Sequence, residues 1–125
     1  MFQYREQIYK QNRRKDNGMS SDKEYLDFVL EQLSDLDGIS SGAMMGEFLL
    51  YYREKIFGGI YDNRLLVKPT ASAVSMMPDA PKELPYDGAK EMLLVENTDD
   101  RHFLAELVRA MYDELPAPGK KKRNS

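Results

Sequence analysis

The sequence predicts a single α+β domain of two layers, an antiparallel β-meander plus a further strand packed by N- and C-terminal helices. Three observations carry this. Within residues 43–69, apolar runs are parted by Arg53-Glu54 and Asp62-Asn63, and Asn and Asp in particular tolerate the positive φ of a two-residue hairpin turn. Stretches before and after the meander space their apolar residues at the helical period. A length of 125 residues, 42% hydrophobic and 31% charged, suits one globular domain with a real core.

Residues 1–19 are polar, and their apolar groups Phe2, Tyr4, Ile8 and Tyr9 form no stripe, so they read as a disordered or frayed extension. Met19-Ser20-Ser21 reads as the natural start of the functional protein, because a capping signal comes at once after it. Ser20, Ser21 or Asp22 is expected to cap a helix that carries Tyr25, Leu26, Phe28, Val29, Leu30, Gln32, Leu33 and Leu36 inward and ends near Gly38. Ile39 to Met45 then forms a first strand with Gly42 and Gly46 at its ends.

With both turns placed, alternation sets Leu49, Tyr51, Ile56, Gly58, Ile60, Leu65 and Val67 on one face. The opposite face holds Phe48, Leu50, Tyr52, Lys55, Phe57, Gly59, Tyr61, Arg64, Leu66 and Lys68. Such a mixed face is either covered by residues 70–88 or used for association, which makes Phe48, Tyr52, Phe57, Tyr61 and Leu66 the candidate partner surface.

Ala71 to Met77 is expected as a short helix, and Pro78, Pro81, Pro85 and Gly88 break the next stretch of chain into loop. Glu91 to Glu96, apolar inside and charged at both ends, reads as a buried fifth strand. Asn97 to Asp100 offers caps for a last helix with a wide apolar face (Phe103, Leu104, Leu107, Val108, Met111, Tyr112, Leu115), which Pro116 ends. The domain therefore spans 20–116, and 117–125 is a basic disordered tail.

Composition narrows the chemistry. Zero cysteines exclude thiol nucleophiles, disulfides and cysteine-ligated zinc, and no apolar run reaches the roughly 18 residues of a membrane span. His102 is the single imidazole; with Asp99, Asp100 and Glu106 around it, it reads as a capping region and a surface pair. Gly58-Gly59 lies within a strand and lacks a phosphate-loop frame, so it reads as a close approach to a helix. No catalytic, cofactor-binding or metal residue is assigned. The formal charge of -3 is uneven: nine of the 18 Lys/Arg but only two of the 21 Asp/Glu lie in residues 1–18 and 119–125, leaving nine against 19, about -10, between them. An acidic body disfavours direct nucleic-acid binding.

Taken together, Met45-Gly46-Glu47, Tyr51-Tyr52, Ile56-Phe57-Gly58-Gly59-Ile60, Leu65-Leu66-Val67-Lys68 and Pro85-Tyr86 with Gly88-Ala89-Lys90 and Met92 resemble the TfoX N-terminal domain over roughly Asp22 to Pro118. That family occurs in bacterial competence regulators and in short stand-alone proteins. The resemblance implies a secretion-chaperone-like α+β fold and a cytoplasmic, non-enzymatic protein without cofactor, acting by association with a protein partner or as a homodimer, tied to transcriptional control. Two departures stand out: Ala43 where a basic residue often precedes the methionine, and Glu54 where a turn glycine is common. The competing expectation is an anion-binding or weak nucleic-acid-binding domain using Lys68, Lys90 and the basic tail.

Overall fold

The computed structural model describes residues 21–118, so the expectations for 1–19 and for most of the basic tail lie outside the described residues. The elements are α1 (Lys23–Gln32), β1 (Ile39–Met44), β2 (Glu47–Tyr52), β3 (Lys55–Tyr61), β4 (Arg64–Val67), α2 (Ala71–Met76), β5 (Lys82–Glu83), β6 (Met92–Leu94) and α3 (Arg101–Met111), followed by a 3₁₀ turn at Tyr112–Glu114. The strands form one sheet in the order β1-β2-β3-β4-β6-β5, antiparallel at every pairing. This is the α+β meander with helices that the sequence predicts. The short β5 is an addition, formed inside the proline-broken segment expected to be loop.

Both expected turns are present at the expected residues. Arg53 and Glu54 have φ of 49° and 74°, and Asp62 and Asn63 both have 56°. A third turn of the same kind, Met45-Gly46 with φ of 52° and 86°, joins β1 to β2. Paired positive φ values match the right-handed twist of hairpin strands, so the meander is three tight hairpins in succession.

The expected faces hold for only half of the meander. Leu50 pairs with Gly58 but Tyr51 pairs with Ile56, so Phe57 is an extra residue: a β-bulge. The bulge sets Lys55, Phe57, Gly58 and Ile60 on one side, and cross-strand pairing adds Leu50, Tyr52, Leu65 and Val67. Leu50, Tyr52 and Phe57 thus face the helices, contrary to the uninterrupted alternation, while Leu49, Tyr51 and Ile56 take the outer side. A one-residue slip reverses every side chain beyond it.

On the helix side, Leu26, Phe28, Val29 and Leu33 from the first helical segment and Leu104, Leu107, Val108 and Met111 from α3 pack with Leu50, Phe57, Ile60, Leu65, Val67 and Leu93 into one core. Gln32 lies on the apolar stripe of α1 and is buried; its Nε2 donates to Thr98 O at 3.1 Å and ties α1 to the loop before α3. Helix α1 stops at Gln32, earlier than expected, and turns carry the chain to Gly38, whose φ of 100° suits only glycine.

Candidate functional site

A groove of about 670 Å³ opens on the outer side of the sheet between the β1–β2 hairpin tip and the segment after β5. Met44, Met45, Glu47, Asp62, Arg64, Leu84, Pro85, Tyr86 and Asp87 line it. Its apolar character is unusual for this molecule. The large hydrophobic side chains left exposed among the described residues are Met45 (95%), Tyr86 (55%), Val74 (46%) and Leu84 (45%), and all but Val74 belong to this groove. Scattered exposed hydrophobics are ordinary, whereas convergence on one concavity marks a contact site.

Local chemistry builds each wall. Met45 projects because it occupies a positive-φ turn position, where its side chain has no strand neighbour to pack on. Opposite, Gly88 (φ 87°) and an Ala89 N–H to Tyr86 O bond of 3.2 Å close a turn that presents Tyr86. Arg64 anchors this wall: its Nη1 meets Glu83 Oε1 at 2.7 Å and its Nη2 donates to Leu84 O at 3.2 Å. Beneath, the Tyr61 ring lies across Gly59, where a Cβ would come within 2.8 Å of the Tyr61 hydroxyl, and its centroid stands 6.2 Å from that of Tyr86. Burial, then the neighbouring Tyr86 phenol and Glu47 carboxylate, raise the Tyr61 pKa above 10.0, which keeps it a neutral phenol.

Glu47 is the polar hub at the base of the hairpin. Its Oε1 accepts from Ser21 Oγ at 2.6 Å and from Asp62 N–H at 3.1 Å, while Ser21 N–H donates to Gly46 O at 3.0 Å. Asn63 completes the clip: its Oδ1 accepts from Asp22 N–H at 2.9 Å and its Nδ2 donates to Asp22 Oδ2 at 3.3 Å. Asp22 is the N-cap residue of α1 as expected, but its side chain makes no cap bond and turns to Asn63 instead.

The five residues expected to form one partner surface do not share a face. Phe48, Tyr52 and Phe57 pack with the helix-side core, because the bulge reverses β2; Tyr61 and Leu66 lie on the outer side, and both are buried, Tyr61 beneath Tyr86. The groove lies beside Tyr61, and Met45, Leu84 and Tyr86 are the residues that sequence reasoning missed. The signal for them is their position at turns, where an apolar side chain has little to bury against. Lys68, whose pKa burial lowers below 10.5, and the exposed Lys90 do not line the groove.

Other sequence candidates take structural roles. Asp100 Oδ1 caps α3 by accepting from Phe103 N–H at 3.0 Å, and His102 Nε2 stands 3.2 Å from Glu106 Oε2 with its side chain 85% exposed. Among the described residues no cluster of His, Asp and Glu has the arrangement of a metal site, and no helix is long and apolar enough to cross a membrane. Gly58-Gly59 does mark a close approach, but of strands: a Cβ on Gly58 would meet Leu66 O at 2.2 Å and one on Gly59 would meet Phe48 O at 2.6 Å.

Comparison with known proteins gives one informative relative, from Spirochaeta aurantia, described as an uncharacterized 12.7 kDa protein in the trpE 5′ region. It is 32% identical over 105 residues, which cover 83% of this chain and 91% of the relative. The chain belongs to the family of that protein. No protein-family model and no solved structure matches it. Met45 and Glu47 from the β1–β2 hairpin meet Pro85 and Tyr86 across the groove.

Proposed function

We propose that the protein acts by association with other polypeptides, without catalysis of its own, and that the groove receives a short segment in which an apolar side chain is flanked by Lys or Arg. The observation that carries this reading is the gathering of Met45, Leu84 and Tyr86, otherwise uncovered, around one concavity. Methionine and tyrosine suit such a role: the first adapts its shape, and the second gives a large contact at low entropic cost. Charge selects the flanking group. Glu47 and Asp87 line the groove, and its Arg64 is already paired with Glu83, so a cation is favoured and an anion is not. That balance argues against the anion-binding reading. The TfoX-like motifs extend the proposal to a regulatory interaction module, and a cytoplasmic setting fits a chain without cysteine.

Selection of a displayed random dodecapeptide library on the purified full chain tests the proposal. Enriched peptides are expected to share an aromatic or aliphatic residue beside Lys or Arg, and Tyr86→Ala is expected to weaken their binding about tenfold, or about 1.4 kcal/mol, with the fold kept as judged by circular dichroism. Absence of enrichment, or binding indifferent to Tyr86→Ala, would remove it.

A further inference from the structure

The two edges of the sheet differ. At one end β5 is two residues, Lys82–Glu83, both charged, with Pro81 just before it and Pro85 two positions beyond. That edge is guarded in the usual ways, by brevity, charge and proline. At the other end β1 runs for six residues, Ile39–Met44, with no charged residue and no proline.

Pairing shows which backbone groups β1 leaves open. A two-residue turn at Met45-Gly46 makes Met44 and Glu47 the first hydrogen-bonded pair, and such pairs then alternate: Gly42 with Leu49, Ser40 with Tyr51. The Arg53 N–H to Gly38 O bond of 2.9 Å at the far end continues the series. The N–H and C=O groups of Ile39, Ser41 and Ala43 therefore point away from β2, and among the described residues nothing pairs with them. Ser41 and Ala43 are exposed.

We infer that this edge pairs with the β1 edge of a second copy of the chain, joining two sheets across a two-fold axis. The occupant follows from symmetry. In an antiparallel ladder centred on Ser41, Ser41 of each copy faces Ser41 of the other, and Ile39 faces Ala43; every outward group then finds a partner, in about six hydrogen bonds. No charge is set against a like charge in Ile39–Met44, which matters for a body that is otherwise acidic. Small side chains at Ser40, Ser41, Gly42 and Ala43 let the two backbones approach. So narrow an interface gives a weak dimer, with Kd on the order of 100 µM.

Sedimentation of the full chain from roughly 10 µM to roughly 1 mM is the test. A concentration-dependent dimer is expected; a monomer throughout overturns the inference. Ser41→Pro removes an outward N–H that no strand among the described residues uses, so the fold is kept and dimerisation is expected to weaken at least about tenfold. Should that variant fail to fold, Ala43→Lys supplies the charge the edge lacks, with the same expected loss. Dimerisation unchanged in the folded variants overturns the inference. Hydrogen exchange gives a second readout: the amides of Ile39, Ser41 and Ala43 are expected to slow with rising concentration, while those of Ser40 and Gly42 hold steady, and an absence of this alternation counts against it. Tyr86→Ala is expected to leave the dimer intact, which separates this interface from the groove.

Discussion

At Glu54 the backbone carries φ of 74° on an exposed side chain that makes no hydrogen bond among the described residues. A left-handed conformation costs a Cβ-bearing residue about 1–2 kcal/mol, of which glycine's extra freedom in the unfolded chain offsets about 0.5–1. Glu54→Gly is therefore expected to stabilise by about 0.5–1 kcal/mol, seen as a raised denaturation midpoint. Asn63 has a similar φ, yet its amide holds Asp22, so Asn63→Gly is expected to destabilise in the same assay. Gly58 is constrained by space instead of dihedral. An alanine there sets its methyl 2.2 Å from Leu66 O and 3.0 Å from Val67 Cα, both backbone atoms of β4 that no rotamer change can move. Gly58→Ala is expected to cost roughly 3 kcal/mol, the upper part of the overpacking range, measurable by urea denaturation.

Among the elements, α2 has six residues, too few to be stable alone, and its first turn is held from two directions. Thr70 Oγ1 accepts from Ala73 N–H at 3.1 Å, and the Glu114 carboxylate accepts from Ser72 N–H at 2.9 Å and from Ser72 Oγ at 2.6 Å. The Ser72 hydroxyl bond, then its N–H bond, lower the Glu114 pKa below its ordinary 4.5. A carboxylate whose folded pKa is depressed stabilises fully above its unfolded value, and the contribution disappears as pH falls through the folded value. Glu114→Gln is thus expected to lower the melting temperature modestly at pH 7, with the difference from the parent vanishing under acid conditions below the lowered pKa. A difference that persisted in acid would show that the carboxylate's charge is not what secures α2.

Across the whole molecule, the two sides of the sheet are finished differently. The helix side is sealed by α1 and α3 into the main core, whereas the outer side is covered over Tyr61 by one short segment that leaves a groove at its margin. Tyr61 and Gly59 show why that margin is firm. The ring fills the space that the missing Cβ leaves, so its edge stands fixed beneath Tyr86. The chain reaches α1 through Ser21 and Asp22, which are pinned to the Met45-Gly46 and Asp62-Asn63 turns, so the groove wall beside Met45 is braced by residues distant in sequence. The proposed association through the groove and the inferred pairing at the β1 edge would draw on different residues, Leu84 and Tyr86 for the one and Ile39 to Ala43 for the other, and neither asks the core to open.

By itself the sequence determined the element types, the Arg53-Glu54 and Asp62-Asn63 turns, a cap for α3 within Asn97 to Asp100 and the apolar faces of α1 and α3, because dipeptide chemistry and periodicity act over a few residues; which of the four caps, Asp100, only the structure decided. Its partner surface failed at Phe57. A bulge is set by which residue of the neighbouring strand each residue pairs with, and nothing in the local pattern around Ile56-Phe57-Gly58 declares it; one extra residue turned Leu50, Tyr52 and Phe57 toward the helices. The groove was beyond local reading for the same reason. Met45, Asp62 and Tyr86 come together only once β1 to β6 are in register, and whether an apolar residue at a turn ends up covered or left open is decided by what the rest of the chain brings against it.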